Sequence, residues 1–213
     1  MRNKFDMQLD LLNEQLTHMG ELCEVAINRG TEALKKGDLK QAAEVIRADE
    51  EIDQMEKDIE RLCLKLLLQQ QPVARDLRQI SAALKMITDM ERIGDQASDI
   101  VELAQYIKKS DVKYKTHLSD MANEVIKMVT KSIKSFVKKD IEMARNVIVY
   151  DDVVDNYFEE IKKELIRIIS SVESNGEEFI DILMIAKYLE RIGDHATNIA
   201  EWVEYSILGY HAE

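Results

Sequence analysis

The stretch Glu91-Arg92-Ile93-Gly94-Asp95 occurs a second time, letter for letter, as Glu190-Arg191-Ile192-Gly193-Asp194. Its continuation repeats as well, Gln96-Ala97-Ser98-Asp99-Ile100 being answered by His195-Ala196-Thr197-Asn198-Ile199. The offset of 99 residues is close to half of the 213-residue chain, so the chain is an internal duplication. A repeat of this length constrains architecture before any local motif is weighed. Each half must fold alike, and each half delivers one acidic motif.

The apolar residues give the elements. Phe5, Leu9, Leu12, Leu16, Met19, Cys23 and Ala26 fall three or four apart, which predicts an amphipathic helix from Phe5 to about Lys36. Gly37 and Asp38 supply a break and a new N-cap. A second helix runs to about Gln70, with Val45, Ile52, Ile59 and Leu66 seven apart, and Gln71-Pro72 ends it. A third runs to about Lys109 with Leu77, Ile80, Leu84 and Ile87 on its seam. Beyond Ser110-Asp111-Val112-Lys113 the scheme starts again. A helix from about Lys115 to Lys138 carries Met121, Val125, Met128, Ser132 and Phe136 or Ile133. Asp140 caps the next, with Val147, Val154, Ile161 and Ile168 seven apart. Ser174-Asn175-Gly176 marks a turn, and a last helix with Phe179, Leu183 and Ala186 ends near Gly209. The expectation is an all-α fold of six long helices: two tandem, pseudo-symmetric, antiparallel three-helix bundles, residues 1–110 and 111–213. One proline and seven glycines leave little for the turns of an all-β fold.

Charge and cysteine usage narrow the function. With 41 acids against 29 bases the net charge is −12, which disfavours a general nucleic-acid binder and suits a cation binder. No apolar run reaches membrane-spanning length, and the N-terminus lacks the apolar core of a signal peptide. Cys23 and Cys63, isolated in apolar helical settings, read as core thiols of a cytoplasmic protein.

The acids then fall into register. On the third helix one seam reads Leu77, Leu84, Glu91 and the other Ile80, Ile87, Gly94, Val101, with Asp95 flanking the first. On the last helix Leu183 leads to Glu190 and Ala186 to Gly193, with Asp194 beside it. A carboxylate in an apolar seam has to be paired, protonated or metal-bound. On the second helix Asp49, Glu56 and Cys63 hold the matching seam with Asp53 flanking. On the fifth, Asp151 and Asp155 do so, and Phe158 stands where Glu56 was. If helices two and three pack antiparallel about Pro72, Asp53 meets Glu91 and Asp49 meets Asp95, because each pair is equidistant from that proline. In the second half Asp155 with Glu190, and Asp151 with Asp194, are equidistant from a point between Val172 and Glu173.

Four carboxylates at one height need compensation, since one pair about 4 Å apart repels by ~4 kcal/mol at an effective dielectric near 20. An all-oxygen donor set points to hard cations such as iron, manganese, magnesium or calcium. Ion pairing is the alternative. Arg92 can reach Asp95 and Asp89, and Arg191 can reach Asp194, but neither is expected to face the glutamate immediately before it. Four acids, duplicated, favour the cation. Gly94 and Gly193, each costing ~1 kcal/mol in a helix, permit either close helix approach or room for an ion. Asp99 and Asn198 lie four residues further on as outer ligands. His195 reads as a surface or outer residue, and Glu56 as solvated.

At these residues the chain resembles the PhoU family of bacterial and archaeal phosphate-uptake regulators. The resemblance covers the whole chain and includes Pro72-Val73-Ala74-Arg75-Asp76-Leu77-Arg78, both Glu-Arg-Ile-Gly-Asp motifs and the Asp49/Asp53 and Asp151/Asp155 pairs. It implies two pseudo-symmetric three-helix bundles with multinuclear metal clusters on their surfaces. The metal would be iron or zinc, with manganese or magnesium as alternatives. The implied metal residues are Asp49, Asp53, Glu91, Asp95 and Asp99 in the first half, and Asp151, Asp155, Glu190, Asp194 and Asn198 in the second. The implied role is a non-enzymatic negative regulator that links the ATPase of a phosphate ABC transporter to a sensor histidine kinase. Such a protein is expected to be cytoplasmic, to meet the membrane only through its partners, and to form a homodimer. Asn198 in place of a third acid suggests unequal metal sites.

Two other classes compete. A ferritin-like di-metal carboxylate enzyme or metal store wants a Glu-x-x-His pair, but the corresponding positions after Glu91 and Glu190 are Gly94 and Gly193. A helical adaptor with salt-bridged acids is the other. No activated nucleophile is evident, none of His18, His117, His195 and His211 recurs in the opposite half, and no Gly-rich phosphate loop is present.

Overall fold

The computed structural model describes residues 2–36, 39–69, 72–107, 112–169 and 176–210. Among them the chain forms six helices: α1 (Arg2–Lys36), α2 (Leu39–Gln69), α3 (Ala74–Ala104), α4 (Val112–Lys138), α5 (Ile141–Ile169) and α6 (Gly176–Leu208). The breaks expected at Gly37-Asp38, Gln71, Ser110-Asp111 and Ser174-Asn175 lie outside the described residues, as does His211. Val112 and Lys113, expected in the boundary, instead open α4, and Gly176, expected in the turn, opens α6. α3 ends at Ala104, about a turn short of the expected Lys109. There Tyr106 N–H donates to Leu103 O and Ile107 N–H to Ala104 O, and this tightening turn folds Ile107 into the core.

Within each half the helices pack α1–α2–α3 and α4–α5–α6, and the halves join through α1 against α4 and α3 against α6. The heptad seams make these contacts. Val45, Ile52, Ile59 and Leu66 are fully buried on α2, as are Val147, Val154 and Ile161 on α5, whereas Ile168, the fourth residue of that expected seam, is half-buried. Cys23 and Cys63 are buried free thiols, and Cys23 Sγ donates to Met90 O at 3.4 Å. Burial pushes Cys63 up to about 12. One expected seam is displaced: Leu77 is exposed and Leu84 only half-buried, whereas Ile80, Ile87, Gly94 and Val101 are buried. The core line of α3 therefore runs through Gly94, and Glu91 sits at the core's margin rather than inside it.

The connections are locally encoded. Asp140 caps α5 by accepting from Met143 N–H at 3.0 Å, as its sequence position suggests. Val73 N–H donates to Asp76 at the start of α3. Polar ties cross the bundle: Thr130 donates to Glu24 at 2.6 Å, Tyr150 to Glu124 at 2.6 Å, and Arg145 pairs with the buried Glu204 at 2.8 Å. No helix among the described residues is long and apolar enough to cross a membrane.

Candidate metal centres

In the first half, Asp49 and Asp53 lie one turn apart on α2, facing Glu91 and Asp95 one turn apart on α3. The pairing about Pro72 is seen in the electrostatics: Asp95 acts on Asp49, and Asp53 acts on Glu91. Gly94 makes the approach possible. A β-carbon there would stand 2.7 Å from Asp49 Oδ1, closer than carbon tolerates, and a tight 3.1 Å from Ile52 Cδ1. Burial, and then the charges of Asp95, Asp53 and Asp99, push the Asp49 carboxyl above its ordinary range. The neighbouring Ser98 hydroxyl acts the other way, yet Asp49 Oδ1 and Ser98 Oγ are both buried without a hydrogen-bond partner. Glu91 is raised by burial and then by Asp95, with Arg92 opposing.

The second half repeats the arrangement. A β-carbon on Gly193 would meet Asp151 Oδ1 and Val154 Cγ1 at 3.3 Å. Asp151 is pushed up to about 6 by burial and then by Asp155 and Asp194. The Thr197 hydroxyl, the counterpart of Ser98, acts the other way, yet Asp151 Oδ1 and Thr197 Oγ1 are again both buried without a hydrogen-bond partner. Asp155 and Asp194 are each raised by burial and then by Glu190. These two are more exposed than their counterparts Asp53 and Asp95.

Internal cations separate the two grooves. In the second, the Lys187 ammonium pairs with Glu190 and sits 5.5 Å above the Phe158 ring. Thr88 holds the matching place in the first half, and Glu56 replaces Phe158. Glu56 is half-buried, not solvated, and its charge acts on Glu91 while Asp53 raises its own carboxyl after burial. In the first groove the cation is Arg92, whose Nη1 donates to Asp95 at 3.0 Å while Nε lies 3.4 Å from Glu91. The expectation that Arg92 cannot face Glu91 is overturned, because its long stem folds back along the helix.

The outer residues turn toward the junction of the halves. Asn198 Nδ2 donates to Asp89 Oδ1 at 3.1 Å, and His195 Nδ1 lies 2.9 Å from the same oxygen. Arg191 makes no ion pair with Asp194 among the described residues; its charge acts on Asp99 and Tyr188 instead. Burial and then Glu102 and Asp95 raise Asp99. Sequence reasoning named Asp89 only as a partner for Arg92, and it missed Lys187, Ser98 and Thr197. The last two carried a signal, since both halves place a hydroxyl residue four positions after the motif glycine.

The donor set is all oxygen, and each groove holds a buried carboxylate oxygen and a buried hydroxyl with no partner. Both features fit a hard cation. As the side chains stand, no group of three or more His, Cys, Asp or Glu among the described residues is arranged to hold a metal ion. A cation would have to draw Glu91 and Asp95 from Arg92, and Glu190 from Lys187.

Comparison with known proteins agrees with the duplication. The model of the PhoU domain matches twice, over residues 16–104 and 118–203. A "phosphate-specific transport system accessory protein PhoU homolog" of Clostridium acetobutylicum is 37% identical over 98% of this chain and 96% of its own length. The protein of the same name in Aquifex aeolicus is 36% identical over 88% and 86%. The crystal structure of PhoU from Pseudomonas aeruginosa superposes with a TM-score of 0.90 at 33% identity, covering 97% of this chain and 100% of that one. The phosphate transport system regulatory protein PhoU from Streptococcus pneumoniae gives 0.91 at 25% identity, over 98% and 99%. The chain belongs to the PhoU family.

Proposed function

We propose that this protein is a non-catalytic accessory regulator of phosphate uptake that binds metal in its two acidic grooves and acts by docking. The observation that carries the metal reading is the repeated orphan: Asp49 Oδ1 and Asp151 Oδ1, each buried, unpartnered and seated on a motif glycine. Asp49, Asp53, Glu91 and Asp95 would hold one centre, with Asp151, Asp155, Glu190 and Asp194 holding the other. Asp99 and Asn198 stand outside them. The metal, iron or zinc with manganese or magnesium as alternatives, would offset the burial and mutual repulsion that raise Asp49, Glu91, Asp151, Asp155 and Asp194.

The names of the relatives support the phosphate-transport role. The docking partners follow from the family resemblance: the ATPase of the phosphate ABC transporter and the cytosolic part of a sensor histidine kinase. Such partners imply a cytoplasmic protein that touches the membrane through them, and the family resemblance implies a homodimer. Negative regulation is then metal-dependent contact.

Two measurements test this. Metal analysis of protein purified without chelator should find metal in both halves, and Glu91→Ala/Asp95→Ala should remove about half of it with helix content unchanged. Capture of the transporter ATPase and the kinase portion should fall in Glu190→Ala/Asp194→Ala. Equal capture with and without metal would take the metal out of the mechanism. Capture of neither partner would refute the regulator reading, and turnover of a phosphoester or oxygen substrate would refute the non-catalytic one.

A further inference from the structure

Three cationic side chains gather at one end of the molecule, away from the acidic grooves. Arg75 and Arg78 come from the first turns of α3, and Lys139 from the residue that follows α4. With Gln79, Phe136 and Ile207 they line a cavity of about 280 Å³. Ser206 completes the lining, but its hydroxyl donates to Val203 O. No acid lines this cavity, in a chain where acids outnumber bases by 41 to 29.

The cations are held there at a cost. None of the three forms an ion pair among the described residues. Arg78 is half-buried, and its Nε is inaccessible to solvent and without a hydrogen-bond partner. Gly209 lies over that guanidinium: a β-carbon on it would stand 3.4 Å from Cδ, Cζ and Nε, and its φ of +87 favours glycine. Lys139 takes a left-handed φ of 55 as the cap of α4, where its own N–H donates to Phe136 O at 3.1 Å and Asp140 N–H to Ser135 O at 2.9 Å. Burial, and then the Arg75 charge, push its ammonium below the ordinary value. Asp76 and Asp10 offset this from a second cavity that shares Arg75, Gln79 and Lys139 with the first and that Asp6 also lines. An unpaired, half-buried guanidinium beside two further cations in one cavity calls for an anion.

We propose that this cavity binds a phosphate-class oxyanion, either free or as the phosphoryl group of a small monoester. Two guanidinium groups offer planar forks of donors, Lys139 a point charge and Gln79 an amide. Three cations balance a dianion better than a monocarboxylate. Phe136 and Ile207 leave an apolar wall for the carbon of an ester.

The test uses the full chain, stripped of metal by chelator and dialysed free of phosphate, so that the acidic grooves cannot capture anions through bound metal. Calorimetric titration with inorganic phosphate, and in a second arm with glycerol 3-phosphate, should show one saturable site per chain in at least one arm. The tighter ligand identifies the source. Arg75→Gln removes an exposed side chain, and Lys139→Gly keeps the left-handed turn. Each should weaken binding by roughly tenfold or more, with melting curves confirming that the variants fold, while Arg92→Gln should leave it unchanged. No saturable binding in either arm, or undiminished binding in both cavity variants, would overturn the proposal. Acetate binding as tightly as phosphate would overturn the phosphate class.

Discussion

Asp49 Oδ1 occupies the space that a side chain on residue 94 would fill: a β-carbon on Gly94 would lie 2.7 Å from it. The glycine seats the carboxylate against α3, where it is buried and unpartnered. Gly193 seats Asp151 more loosely, at 3.3 Å. Gly94→Ala is therefore expected to swing Asp49 outward and to weaken cation binding in the first groove at least tenfold. Gly193→Ala should have a smaller effect on the second. Terbium luminescence titration reads both, and equal affinities in wild type and Gly94→Ala would contradict the seating role.

The second groove should govern acid-side stability when metal is removed. Folded Asp151 keeps its proton up to about pH 6, against 3.8 ordinarily. Folding therefore takes up a proton between these values, so stability rises as pH falls through 6 and levels off below 4. The full effect is on the order of 2 kcal/mol, allowing for solvent screening. Asp151→Asn should stabilise the chelated protein at pH 7.5 and flatten this dependence. A variant as unstable as wild type at pH 7.5 in urea melts would refute the attribution.

Lys187 competes with any cation in the second groove, since it already pairs with Glu190. The first groove has Thr88 at that place and Glu56 in addition. Its own competing cation is Arg92, which holds Asp95 and lies beside Glu91. Lys187→Met should tighten the second by about tenfold, ~1.4 kcal/mol. Unchanged affinity would mean that the lysine swings clear at no cost.

Gly20 packs against Ile133 where α1 meets α4, and a β-carbon on residue 20 would overlap Ile133 Cδ1. Overpacking costs about 1–3 kcal/mol, and helix propensity returns ~1 kcal/mol. Gly20→Ala is thus expected to destabilise the protein by roughly 1 kcal/mol in urea denaturation; a stabilised variant would show that the two halves can shift to accommodate a methyl group.

Much of this was legible before any coordinates. The seven-residue spacing of Val45, Ile52, Ile59 and Leu66 specifies which face of α2 is buried. The duplicated Glu-Arg-Ile-Gly-Asp, with Pro72 as a fulcrum, specifies which acids meet. Both depend on local periodicity and on the near-symmetry of an antiparallel hairpin, and both are written along the chain. The displacement of Leu77 to the surface, the fold-back of Arg92 onto Glu91 and the turn of Asn198 and His195 to Asp89 were not. Nor was the convergence of Arg75, Arg78 and Lys139. Each depends on a neighbour about 60 to 110 residues away, or on the rotamer of a long side chain. Helical spacing says which residues share a face. Only the packing of α3 against α6, and of the α4–α5 turn against α3, decides what that face meets, because burial and charge compensation are set by atoms that lie far apart along the chain.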